Sequence, residues 1–213
     1  MKKLTRLQKE VLFGILLGDA SLQWNEKKTL CRLRFTQKDK EYCMHIYEIF
    51  REFVNTPPQQ NKKTGVWYFN TLLSPVFRFY CHQFYTKDGV KKIPRLIHRW
   101  LTPRTIAYWY MDDGSVKDMK TSSGVRFCTD CFSKQEVMLL SQIMTCKFGL
   151  KTSIFKQRNT HRLYISGTGN TPFIFANLIR PYLLVCQRIS QKIPSKWQFP
   201  EFENFKKKTD TFN

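Results

Sequence analysis

Two stretches of this chain, LFGILLGDA at 12–20 and IAYWYMDDG at 106–114, share an uncommon design. Each is a run of bulky apolar residues, about two and a half helical turns long, that ends on an acid and a small residue. A helix C-terminus carries partial negative charge from its unpaired carbonyls, so Lys, Arg or Gly is favoured there and an acid is not. One such stretch alone reads as a core helix running into a surface turn. Two of them, with Asp19 and Asp113 standing 94 positions apart, predict a chain of two related halves.

The rest of the sequence follows the same division. KKIP at 91–94 matches QKIP at 191–194, which places Lys92 against Lys192. The boundary falls near LTPRT at 101–105, where Thr102 suits an N-cap and Pro103 a first helical position. The halves are therefore 1–100 and 101–213. In the first, Leu22 and Trp24 alternate with Ser21, Gln23 and Asn25, and Cys31, Leu33 and Phe35 alternate with Arg32, Arg34 and Thr36. That pattern is a hairpin with one apolar and one polar-basic face. A helix over 41–54 follows, then a second hairpin carrying Lys62 and Lys63 and turning near Thr64-Gly65, then a helix from Ser74-Pro75. The second half repeats the order. A hairpin with Lys117 and Arg126 turns around 119–124, and a helix over 134–148 has Ser133 as its cap. A hairpin with Lys156, Arg158 and Arg162 turns at 158–160, and a last helix is bent or ended by Pro181. The fold class is α+β: two αββαββα halves of pseudo-symmetric pattern, with antiparallel sheets whose basic faces form a saddle for nucleic acid and helices on the opposite face.

Charge points the same way. Lys and Arg total 36 against 16 Asp and Glu, a net +20, spread along the chain rather than gathered in a tail. A folded basic surface with an anionic partner is expected, nucleic acid first. With 42% hydrophobic and 15% aromatic residues the chain can bury a sizeable core, and disorder is excluded. No apolar run reaches the length of a membrane span, and the charge-then-apolar N-terminus is interrupted by Gly18-Asp19, against a signal peptide. Seven cysteines in irregular spacing do not make a disulfide framework, and Cys128-Thr-Asp-Cys131 lacks the second pair a structural zinc site needs. His45, His82, His98 and His161 are too scattered for a metal or nuclease cluster.

The paired motifs, each followed by the same order of elements over nearly the whole chain, resemble the LAGLIDADG homing endonucleases, in particular the single-chain, intron-encoded enzymes of mitochondria and chloroplasts. The essential acid of the nine-residue motif corresponds to Asp19 and to Asp113. The resemblance implies that the motif helices pack side by side on a pseudo-twofold axis, with Phe13 against Ala107 and Gly14 against Tyr108, and that their acids bind magnesium, with manganese able to substitute. The carbonyls of Gly18 and Asp112 join the metal ligands. Lys92 and Lys192 match lysines used near the scissile phosphates. Gln37 matches a residue that positions water, and Thr129 is its counterpart. The implied DNA contacts are Ser21, Gln23, Asn25, Arg32, Arg34, Lys62, Lys63, Lys117, Arg126, Lys156, Arg158 and Arg162.

The implied activity is a metal-dependent double-strand break in a long asymmetric DNA target, made by a monomer in an organelle with neither membrane nor obligate protein partner. Two other classes fit the fold. An intron maturase binds intron RNA and needs neither acid, and a DNA-binding regulator needs neither the acids nor the lysines.

Overall fold

The computed structural model describes residues 3–118 and 122–210, so the tip of the hairpin expected around 119–124 lies in part outside the described residues. The chain divides into two compact units, Met1–Leu101 and Thr102–Asn213. Among the described residues no helix is long and apolar enough to cross a membrane.

The first unit opens with α1 (Arg6–Leu17), held at its start by a reciprocal pair: Thr5 accepts from the Gln8 backbone, and the Gln8 side chain accepts from the Thr5 backbone. Then come β1 (Ser21–Trp24), β2 (Cys31–Gln37) and α2 (Lys40–Phe50), the last capped by Asp39 and tightening into a 3-10 turn over Arg51–Phe53. Strands β3 (Gln59–Gln60) and β4 (Trp67–Asn70) form the second hairpin, turned at Gly65 with φ +69°. A 3-10 turn over Pro75–Phe77 leads into α3 (Arg78–Phe84), and α4 (Ile97–Trp100) closes the unit. The four strands form one antiparallel sheet in the order β1-β2-β4-β3. Along β2, Cys31, Leu33, Phe35 and Gln37 are buried while Arg32 and Arg34 are exposed, the period-2 pattern of a sheet covered on one face.

α1 is buried from Val11 through Leu17, as a helix apolar on all sides must be. Phe13 packs inside its own unit: its ring stacks on Trp100 at 4.8 Å and 7° and meets Tyr80 and Phe84 at 5.7 and 5.3 Å.

In the second unit α5 (Pro103–Asp113) starts at Thr102, whose hydroxyl accepts from the Thr105 backbone. Strands β5 (Gly114–Asp118) and β6 (Ser122–Phe127) precede α6 (Lys134–Phe148), which runs from a Ser133–Glu136 capping box to Gly149 in the left-handed region at φ +66°. Then come β7 (Thr152–Gln157), β8 (Thr160–Ile165) and α7 (Thr171–Ile179), ended where Arg180–Tyr182 tightens into a 3-10 turn around Pro181. Two helices follow, α8 (Gln187–Ser190) and α9 (Pro200–Asp210). The sheet order β5-β6-β8-β7 repeats that of the first unit. Its core centres on rings: Trp109 lies 4.1 Å from Phe127, and Tyr110 meets Phe127, Phe175 and Trp197.

Both units therefore carry the αββαββα order, with α4, α8 and α9 added. The first two are four residues long, too short to leave a periodic signal.

Candidate catalytic centre and nucleic-acid interface

The two acid-tipped helices end differently. α1 stops at Leu17, with the Gly18 N–H bonded back to the Ile15 carbonyl, so Asp19 stands just beyond the helix and is exposed. α5 continues through Asp113, which is half-buried, and Asp112 is 5% exposed. Gly114 must be glycine here: a Cβ would lie 2.1 Å from the Tyr110 ring and 2.6 Å from its carbonyl oxygen. β5 can thus leave the helix directly.

Each helix end is met by a lysine. Lys91 Nζ donates to the carbonyls of Gly18 at 2.9 Å and Ala20 at 3.3 Å. Lys192 Nζ donates to those of Met111 at 2.7 Å, Asp112 at 2.8 Å and Tyr110 at 3.4 Å, and Arg188 adds a bond to the Asp112 carbonyl at 3.3 Å. An ammonium on the last carbonyls satisfies groups the helix leaves without partners and opposes the negative end of its dipole. This offsets much of what makes an acid unfavourable at that position.

In the first unit the lysine on the helix end is Lys91, not Lys92. The backbone explains the shift. Lys91 bridges Tyr85 in extended pairing, so consecutive side chains diverge. Lys92 faces a cleft of about 730 Å³ with Trp24, Lys28 and His82. Lys192 instead follows a helical turn, its N–H bonded to Ile189 O and its carbonyl accepting from the Tyr110 hydroxyl at 2.6 Å. Matching Lys-Ile-Pro letters sit on unlike backbones, which no alignment of letters reveals. The neighbouring Lys91 was the available signal.

The surroundings of the acids also differ. Gln37, at the buried end of β2, donates from Nε2 to Asp19 Oδ2 at 2.8 Å. Thr129 stands at the matching position but turns away, its hydroxyl donating to the His161 carbonyl at 2.6 Å. The β6 end is instead tied to α5 by Cys128 N–H, which donates to the Asp113 carbonyl at 3.2 Å.

The faces opposite the cores carry the expected polar rows. Register pairs Ser21 with Arg34, Gln23 with Arg32, and Arg34 with Asn70. In the second unit Ser115 pairs with Arg126, and Arg126 with Tyr164. Each row borders a furrow: one of about 510 Å³ runs past Arg34, Thr36 and Tyr68, and one of about 260 Å³ past Lys117, Arg126, Phe155 and Tyr164. The Arg126 guanidinium lies 5.7 Å over the Phe155 ring, and Gly124 leaves room for the Tyr164 phenol. Lys62 and Lys63 are exposed in the β3–β4 turn, and Arg158, with φ +55°, sits at the exposed tip of the β7–β8 hairpin.

Three of the expected contact residues have a particular local setting. Asn25 Oδ1 accepts from the Thr29 and Leu30 backbones, so it closes the β1–β2 loop. Lys156 follows Phe155 by one residue and so falls on the Ile154 side of β7, out of phase with the furrow. Arg162 is bound to Asp130, through Nε at 2.9 Å and Nη2 at 2.5 Å. Asp130 carries no periodicity signal in sequence, since it lies in an irregular turn.

Comparison with known proteins gives a consistent picture. The profile of the LAGLIDADG DNA endonuclease family matches residues 9–173. The chain is 31% identical to DNA endonuclease I-ChuI of Chlamydomonas applanata, over 87% of this chain and 94% of that protein. It is 32% identical to the probable intron-encoded endonuclease 1 of Wickerhamomyces canadensis, over 85% and 82%. Its similarity to cytochrome b mRNA maturase bI2 of Saccharomyces cerevisiae is 24%, over 82% of this chain and 44% of that protein. Among solved structures, the homing endonuclease I-WcaI bound to its DNA recognition sequence superposes with a TM-score of 0.80 at 29% identity, over 90% of this chain and 88% of that one.

Proposed function

The chain belongs to the LAGLIDADG DNA endonuclease family, and from that premise we propose that it is an intron-encoded homing endonuclease that makes a site-specific double-strand break in DNA. The observation that carries the reading is the pair of acids, Asp19 and Asp113, each held at the end of a buried helix whose carbonyls face a cation. The donor set is hard oxygen, carboxylate and carbonyl, and suits magnesium or manganese. Those carbonyls already gather around the ammoniums of Lys91 and Lys192, so the cradle is arranged for positive charge. A divalent cation held there supplies a water of lowered pKa and a counter-charge for the leaving oxygen. Asp19 with the Gly18 carbonyl in the first unit, and Asp113 with the Asp112 carbonyl in the second, would each offer ligands to such a cation. Gln37 orients Asp19 and a water beside it. Lys91 and Lys192 oppose negative charge as the phosphate is attacked. The arginine rows of the two sheets lie along the duplex and supply phosphate contacts and base readout.

The test is cleavage of DNA spanning the intronless insertion site, with and without magnesium. Asp19→Asn and Asp113→Asn should each abolish double-strand cleavage and leave DNA affinity within about threefold, since the acids serve chemistry rather than binding. Full cleavage by both variants overturns the assignment. The likeness to maturase bI2 supports a second reading, an RNA-binding role in splicing of the host intron. Retention of both acids favours the nuclease, and splicing of the precursor RNA by purified protein is the measurement that separates the two. We infer an organellar location from the likeness to an intron-encoded relative.

A further inference from the structure

The two acids lie in chemically unlike surroundings. Next to Asp19 is a neutral amide, Gln37, which donates to the carboxylate directly. The matching residue of the second unit, Thr129, donates to a backbone carbonyl instead. Its successor takes over. Asp130 collects four donors: Arg162 Nε at 2.9 Å and Nη2 at 2.5 Å, the Thr160 hydroxyl at 2.7 Å and Cys128 Sγ at 3.4 Å. Cys128 in turn donates its backbone N–H to the Asp113 carbonyl. A continuous chain of bonds therefore runs from Asp113 through Cys128 and Asp130 to Arg162, and the strand register carries Asp113, Cys128 and Arg162 across the sheet in one row. At the matching positions of the first unit there is no carboxylate–guanidinium pair. Following register, Lys38 stands where Asp130 does, and Tyr68 where Arg162 does.

We propose that Asp130 is a positioning residue for one of the two cuts: it holds Arg162 in the cross-strand row that begins at Asp113, so that a guanidinium serves the Asp113 strand while an amide serves the Asp19 strand. A long arginine on an open sheet would otherwise extend toward the nearest duplex phosphate. Two charge-assisted bonds to one carboxylate lock its planar fork in a single orientation. The strand assigned to Asp113 then depends on Asp130, and the other does not. The inference rests on the endonuclease reading.

The experiment is single-turnover cleavage of a target duplex labelled differently on its two strands, with DNA affinity measured separately in the absence of divalent metal. Asp19→Asn and Asp113→Asn identify which strand each half cuts. Asp130→Asn should slow the Asp113 strand by about tenfold or more, the scale of a modest misplacement, and leave the Asp19 strand and the affinity within about twofold. Nicked duplex should accumulate. Asp130→Glu should restore much of the rate, because a carboxylate can still hold the guanidinium, and Arg162→Lys should imitate Asp130→Asn, because an ammonium lacks the fork. Equal slowing of both strands, lost affinity with unchanged strand balance, or no change at all overturns the proposal while leaving the endonuclease reading in place. A wild-type protein that cuts neither strand overturns both.

Discussion

At the residue scale the informative positions are those whose partners lie far along the chain. Asp19 and Asp113 stand out in the sequence because each contradicts a local rule about helix ends. The lysines that relieve the contradiction arrive from 73 and about 80 residues away and leave no local trace. That is why Lys91 was hidden behind Lys92. Removing a charged donor from buried-end carbonyls costs about 1.5–3 kcal/mol, so Lys192→Met should lower the melting temperature clearly and Lys91→Met somewhat less, having fewer carbonyls. Lys92→Ala, facing an open cleft, should stay within about 0.5 kcal/mol. Thermal denaturation of the three variants checks the order. Asp130 offers a pH test. The bonds from Arg162, then those from Thr160 and Cys128, hold its carboxyl well below the ordinary value of 3.8. A depressed folded pKa stabilises above the unfolded value and is lost as pH falls through the folded one. The stability gap between wild type and Asp130→Asn should therefore be constant from about pH 7 to 5 and close below about pH 4. A gap that persists unchanged into strong acid contradicts the ion pair.

At the element scale the sequence was most legible where period and punctuation agree. β2 alternates cleanly, α6 has both its capping box and its left-handed glycine, and Thr102-Pro103 marks the start of α5. Ser133→Ala should cost about 1 kcal/mol through the lost cap. Where no periodic signal existed, the sequence was silent: α4 and α8 are single turns of four residues. The junction of α5 and β5 is the least forgiving connection. Gly114→Ala places a methyl against both the ring and the backbone of Tyr110, and overpacking of this kind costs about 1–3 kcal/mol. A denaturant midpoint for Gly114→Ala equal to that of the wild type contradicts the geometry.

At the scale of the whole molecule, charge does most of the explaining. A net +20 spread along the chain, with arginines on both sheets, predicts nucleic-acid binding that weakens steeply with salt. Arg34→Ala and Arg126→Ala should each reduce the slope of log affinity against log salt by about one if they touch phosphates, or relax preference at one base pair if they reach an edge. Titrations at several salt concentrations on the target and on an altered site separate these outcomes. The overall division into two like units was readable because the motif repeats at domain length. The lesser likeness of the two sheets was not, because it arises from single replacements such as Lys38 against Asp130. One arrangement has a practical consequence for how the protein is handled. Since side-chain ammoniums already occupy the carbonyl rims of both motif helices, the architecture carries its own counter-ions and does not have to borrow them from solution in order to fold. Preparations stripped with a chelator should still be folded and melt cooperatively, and activity should return as soon as the ion is added back, with no refolding lag; the protein can be purified and stored inert, then started on demand.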